Sequence, residues 1–199
     1  MENLFKPMLY SNPILDIEYD YWALAHVWMH KQPLFLWQSA MSFKIFGLSE
    51  LSFRLPSVFL ASIMIITIYR SSRIITNSYY SAYISSLLFM SSFFFFELIT
   101  DNQGLDQNDV SFTAYISFSI WSWIEYQNSK SKLWLIGIGL FSGCAVLTKW
   151  LVGLLVYLVW MFYLFFKKQG SQIKDFKSSA LLTLFIAVPW QLYCYLNYK

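Results

Sequence analysis

From Arg54 onward the apolar residues fall in long blocks rather than in alternation, with short polar interruptions between them. The blocks run from about 55 to 72, 79 to 99, 110 to 127, 133 to 148, 150 to 166 and 179 to 196, and each approaches the roughly 20 residues that carry a helix across a bilayer. One such block could be the core of a soluble domain, but their recurrence leaves too few polar elements to cover a core. Stretches such as Leu87 to Phe96 lack the period-two alternation of a membrane barrel strand. The demand that every backbone group be bonded inside lipid therefore selects helices. The predicted fold class is all-α: a polytopic membrane protein with about six transmembrane helices, several short enough to require tilt or local thinning of the bilayer.

The first 51 residues break this pattern. Met1 to Lys31 has no apolar run of spanning length and carries the turn signal Ser11-Asn12-Pro13, which predicts a loop beside the membrane, neither signal peptide nor anchor. Pro33 and Gly47 then frame a helix of about four turns. Gln38, Ser39 and Ser42 gather on one side of it, while Leu36, Trp37, Ala40, Met41 and Phe43 cover much of the rest. That distribution suits a helix lying in the membrane interface, although Lys44 departs from the polar stripe. The expected organisation is one transmembrane domain, 1–199, with an outer-face loop and interfacial helix over 1–51 and membrane helices over 55–196.

Composition strengthens the membrane reading, because 13% charged residues is about half the share that covers a soluble domain. The net charge of +3 becomes informative only when placed along the chain. Arg70 and Arg73, then Lys130 and Lys132, then Lys167, Lys168, Lys174 and Lys177 occupy every second loop. Between them lie the acidic segment with Glu97, Asp101, Asp106 and Asp109 and the tight Thr148-Lys149-Trp150 turn. The positive-inside rule makes the basic loops cytoplasmic and puts the acidic loop on the outer face with residues 1–51. A plasma membrane is the expected location, and no nucleic-acid partner is expected. Cys144 and Cys194 sit inside apolar segments, without the spacing of a disulfide framework or a zinc site.

Two outer-face constellations could carry chemistry. The first is Asp16, Glu18, Asp20, His26, His30 and Lys31, which also reads as a solvated loop. His26 and His30 are four apart and could share a helix face, but no third ligand stands at a recognised spacing and no HExxH pattern exists. No metal ligand is assigned, and dependence on a divalent metal stays open. Lys31, at the head of the interfacial helix, is well placed to meet a lipid phosphate at headgroup depth. The second constellation is the loop Thr100 to Asp109 with its three carboxylates. Asp109 begins the next span, where a carboxylate favours a helix N-terminus and stays close to the membrane; a simple helix cap is the alternative.

Several segments together resemble a known family. His30-Lys31-Gln32-Pro33-Leu34-Phe35-Leu36-Trp37, Phe43-Lys44-Ile45-Phe46-Gly47-Leu48-Ser49-Glu50 and Arg54-Leu55-Pro56-Ser57 resemble the KPPLYYW…FKLFG-SE…RLPS signature. That signature belongs to the polytopic GT-C glycosyltransferases of the protein O-mannosyltransferase and aminoarabinose-transferase type. In the same order, Asn108-Asp109 is similar to the Thr-Asp of the family's second outer loop, Leu147-Thr148-Lys149 to its LTKGP turn, and Val188-Pro189-Trp190 to its LPW. The chain departs from the pattern at Gln32, where the family usually has Pro, and at Trp150-Leu151, where it has Gly-Pro.

The resemblance implies an enzyme that takes a sugar from a polyprenyl-phosphate carrier and moves it to a lipid, protein or glycan acceptor on the outer face. Carried over by position, Asp109, with Asp106 beside it, would be the second-loop acid of the active site. Lys31, with His30 and Lys149, would bind the carrier phosphate. The chemistry is coherent, since a phosphate leaving group needs a cation, an acceptor hydroxyl a base, and the lipid tail an apolar groove. The resemblance also leads us to expect a piece of such a transferase, lacking the family's first spanning helix and its Asp-Glu loop; Asp16, Glu18 and Asp20 do not match that pair's position. The competing readings are a non-catalytic transporter or flippase fragment and an inactive truncated transferase. Against the first, the spans hold few ionisable residues and no evident inverted repeat.

Overall fold

The computed structural model describes residues 32–92, 96–97 and 107–197, and among these there is no strand. Helix α1 (Leu34–Phe46) stops at Gly47, whose φ of +81° is open to glycine at little steric cost and whose N–H bonds the Phe43 carbonyl. Helix α2 (Glu50–Thr76) is capped by Ser49, whose hydroxyl accepts the Ser52 N–H at 3.1 Å. Pro56 lies inside α2 and has no N–H, which deprives the Ser52 carbonyl of its helical partner. The Ser42 hydroxyl of α1 donates to that carbonyl at 2.5 Å, so the proline creates the acceptor on which α1 docks.

Helices α3 (Tyr79–Met90), α4 (Asn108–Ser129), α5 (Leu133–Lys149), α6 (Leu155–Lys167) and α7 (Ile173–Asn197) follow, with a 3₁₀ turn at Trp150–Leu154 joining α5 to α6. Their cross-contacts run start to end. Ser72 of α2 meets Ser85 of α3 at 3.0 Å, and Asn108 at the head of α4 donates to the Thr148 carbonyl near the end of α5 at 3.2 Å. Gln127, near the end of α4, bonds Gln172 just before α7 at 2.9 Å. Helices consecutive in the chain are therefore antiparallel, whereas α2 and α4, and likewise α5 and α7, pack side by side in the same direction.

Burial does not sort by polarity as it does in a soluble protein: apolar clusters such as Ile138, Val156 and Trp160 are buried, and so are many small polar residues. Ser57, Thr67, Ser111, Ser119, Ser122, Ser142, Thr148, Ser179 and Thr183 are buried, whereas Phe59, Phe165, Phe166, Leu181 and Phe185 are exposed. In lipid the apolar surface gains nothing by turning inward, and small polar residues allow close helix contact and interhelical hydrogen bonds. The α5–α7 seam shows this directly: a Cβ on Gly143 would stand 2.8 Å from the Ile186 Cβ, and one on Gly139 2.8 Å from the Ser179 carbonyl oxygen. Thr183 donates to the Gly139 carbonyl at 3.0 Å across the gap thus left. Among the described residues, three helical stretches, Glu50–Thr76, Leu133–Lys167 and Gly170–Asn197, are long and apolar enough to cross a membrane.

Several boundaries differ from the sequence reading. Helix α2 runs on to Thr76, past the expected end at about 72, and Arg70, also read as a basic-loop residue, lies within it and pairs with Glu125 on α4. The block expected at 150–166 divides into the 3₁₀ turn and a 13-residue α6, and α7 begins at Ile173 rather than 179. Helix α3 runs from Tyr79 to Met90, and most of the expected span beyond it lies outside the described residues. The polar stripe of α1 faces the protein: Ser39 and Ser42 are buried while Met41, Ile45 and Phe46 are more than half exposed.

Candidate functional site

Gly47, Gln107, Lys149 and Asn197 mark one end of the bundle, opposite the basic loops. Asp109 lies in the first turn of α4 and Lys149 is the last residue of α5. The Asn108–Thr148 bond aligns these ends, and Lys149 Nζ forms an ion pair with Asp109 Oδ1. Their side chains stay 40% and 35% exposed, so both groups can reach a ligand. The Lys149 ammonium also stands 5.8 Å from the centre of the Phe112 ring, an apolar wall beside a cation. Beyond Lys149, Trp150 has φ +60° and ψ −147°, a conformation suited to glycine and worth roughly 1–3 kcal/mol of strain in other residues. The turn thus keeps a glycine-like backbone where the resembling family has glycine.

Residues 32–38 are clamped against this end of the bundle from two directions. Gln191 Nε2 donates to Gln32 Oε1 at 2.6 Å, and Trp37 packs edge-on against Trp190 with ring centres 5.4 Å apart. Gln38 joins α1 to α4, donating to the Tyr115 hydroxyl and accepting from the Ser111 hydroxyl at 3.1 Å. Tyr115 is six residues along α4 from Asp109, about 9 Å at the helical rise. Between α1, α2 and α4 lies a cavity of about 420 Å³ lined by Trp37, Gln38, Met41, Pro56, Phe59, Leu60 and Tyr115. It is an apolar trough with one amide and one phenol. Arg54, near the head of α2, is held by Glu50 at 2.5 Å.

Of the residues singled out in the sequence, the structure brings Asp109 and Lys149 together. Asp106, His30, Lys31, His26, Asp16, Glu18 and Asp20 lie outside the described residues. Among the described residues no group of three or more His, Cys, Asp or Glu is arranged to hold a metal ion. Sequence reasoning missed the Gln38–Ser111–Tyr115 connection and Gln191. The departure at Gln32 was the available signal, since an amide in place of proline asks for a partner, and Gln191 follows directly on the Val188-Pro189-Trp190 segment.

Comparison with known proteins bears on the fold and the family. The chain is 30% identical over 198 residues to an uncharacterized protein of Aquifex aeolicus (strain VF5), a match covering 98% of this chain and 38% of the Aquifex protein. It spans well under half that relative's length. The crystal structure of ArnT from Cupriavidus metallidurans in the apo state superposes with a TM-score of 0.66 at 20% identity, over 84% of this chain and 32% of ArnT. The structure of the same protein bound to undecaprenyl phosphate gives 0.64 at 19% identity, with the same coverage. At that identity the likeness establishes the fold, a polytopic helical membrane architecture. Residues 30–193 match the model of the dolichyl-phosphate-mannose-protein mannosyltransferase family, and because the match takes in most of the chain, the chain belongs to that family.

Proposed function

We propose that this chain is part of the membrane domain of a glycosyltransferase that moves a sugar from a polyprenyl-phosphate carrier to a lipid, glycan or protein acceptor on the outer face of the plasma membrane. The observation that carries the reading is the Asp109–Lys149 pair at one end of the bundle, with Asp109 on the same helix as Tyr115 at the rim of an apolar groove. Family membership and an ArnT structure that contains undecaprenyl phosphate support a phosphoisoprenoid as the groove's occupant. In the reaction, an acceptor hydroxyl attacks the anomeric carbon as that carbon's bond to the carrier phosphate oxygen breaks. The hydroxyl proton passes to a carboxylate, assigned to Asp109 with Asp106 close by in sequence. The departing phosphate gathers negative charge, which Lys31 and Lys149, with His30 beside them, would balance.

Carrier binding can be tested on this chain without turnover. In nanodiscs, a photoactivatable polyprenyl phosphate should label Met41, Phe59 or Leu60, and undecaprenyl phosphate should suppress that labelling. Undecaprenol, lacking the phosphate, should compete at least tenfold less well, because a charge-assisted bond contributes about 1.5–3 kcal/mol. Lys31→Ala should narrow that difference. Equal competition by the alcohol would remove the phosphate-binding assignment.

The orientation follows from the distribution of Lys and Arg. In a Cys144→Ala/Cys194→Ala background, Asp106→Cys should react with an impermeant maleimide in intact cells, and Ser131→Cys and Ser171→Cys only after permeabilisation. Labelling of positions 106 and 171 from one side would overturn the topology.

A further inference from the structure

At the end of the bundle opposite Asp109, two basic loops that are distant in sequence close around one cavity of about 720 Å³, lined by Tyr126, Lys130, Lys132, Lys168, Gln172 and Asp175 among others. Its floor is built rather than incidental. Gln172 is buried, exchanges hydrogen bonds with Gln127 at 2.9 and 3.2 Å, and accepts from the Trp160 indole at 3.1 Å. The Tyr126 hydroxyl donates to Asp175 Oδ2 at 2.6 Å, which ties down the cavity's single carboxylate.

Three lysines therefore line a cavity whose one carboxylate is already occupied. Lys130 and Lys168 cap the C-terminal ends of α4 and α6 in left-handed conformations, where a cation suits the helix dipole. Lys132 has no such reason to be where it is. It is the N-cap of α5, gives that helix no side-chain cap bond, and is followed by no acid in the first turn, so its charge adds to the positive end of the helix instead of opposing it. Among the described residues neither Lys132 nor Lys168 forms an ion pair. Lys130 Nζ donates to Gln127 Oε1 at 2.6 Å, and desolvation lowers its pKa despite the attraction of Asp175.

We propose that this cavity is a binding site for a phosphate-bearing anion, supplied by the headgroup of an anionic membrane lipid on the face opposite the Asp109–Lys149 pair. The geometry matches that source because the lysines stand at the ends of membrane helices, at headgroup depth, and a concave basic pocket between helix ends is how cytoplasmic-face lipids are held. The site is independent of sugar transfer; only its description as cytoplasmic rests on the orientation argued above.

The test uses the full chain, delipidated in neutral detergent, with thermal unfolding followed as ligand is added. Short-chain phosphatidylglycerol should raise Tm in a saturable way and phosphatidylcholine should not, since only the former brings a net negative charge. Lys132→Gln/Lys168→Gln should lose at least tenfold in apparent affinity, and Lys132→Arg/Lys168→Arg should keep it. Lys174→Gln/Lys177→Gln, which removes two cations of the same face that do not line the cavity, should bind like wild type. Native mass spectrometry of retained phosphatidylglycerol gives a second reading where a variant unfolds early. Equal loss in the Lys174/Lys177 variant, or an equal shift with phosphatidylcholine, overturns the site. A shift of the same size with inorganic phosphate overturns the lipid as its source.

Discussion

Replacing Asp109 with asparagine in the whole transferase is expected to lower turnover by roughly 10²- to 10⁴-fold, the usual contribution of a well-placed general base. The amide keeps the shape of the side chain and can still meet Lys149, but it cannot take the acceptor's proton. The competing explanation, that Asp109 only caps α4, predicts a different magnitude. The Asp109 and Lys149 side chains are 35% and 40% exposed, and an ion pair of that exposure contributes at most about 1 kcal/mol to stability. A 10²- to 10⁴-fold loss corresponds to about 2.7 to 5.5 kcal/mol of transition-state stabilisation, well outside what loss of the pair could do through folding. Single-turnover transfer from a polyprenyl-phosphate sugar, alongside thermal unfolding, separates the two. Lost turnover at near wild-type Tm supports the base; a lowered Tm with proportionate activity returns Asp109 to a structural role. Lys149→Gln should chiefly weaken use of the carrier, so identical kinetic defects in the two variants would remove the division of labour.

The largest effect on stability is expected from Arg70→Ala. Arg70 reaches from α2 to Glu125 on α4, with Nε 2.5 Å from Oε1 and Nη2 3.3 Å from Oε2, and the Trp121 indole adds a third donor at 3.3 Å. The Glu125 side chain is only 5% exposed whereas Arg70 is 49% exposed. Removing the arginine strands a buried carboxylate, which costs about 3 kcal/mol or more. Removing the glutamate leaves a cation that can turn to solvent or headgroups. Arg70→Ala should therefore lower Tm in detergent by several degrees, Glu125→Gln by clearly less, and the pair Arg70→Met/Glu125→Leu should recover most of the loss. An Arg70→Ala protein as stable as wild type would show that the pair does not hold α2 to α4.

Membrane insertion is a property of each segment taken alone. A block such as 179 to 196 is apolar enough to leave water whatever its neighbours do, so helical class and approximate helix positions were legible from local hydropathy. The ordered motifs were legible for a related reason, because each is a short contiguous run. Lateral packing is not a segment property. Lipid is as apolar as leucine, so hydropathy does not say which side of a helix faces protein; the polar stripe of α1, read as the mark of an interfacial helix, turns inward to Ser111, Tyr115 and the carbonyl that Pro56 leaves open. The end of α2 was misjudged for the same reason. An arginine looks like a loop residue until a glutamate 55 positions away is brought against it. Asp109 and Lys149 were each candidates on local grounds, but their pairing depends on the register of α4 against α5, held by the Asn108–Thr148 bond. That register, the Gln32–Gln191 clamp 159 positions apart and the lysine-lined cavity all arise from contacts between segments whose separation along the chain carries no sign of their meeting.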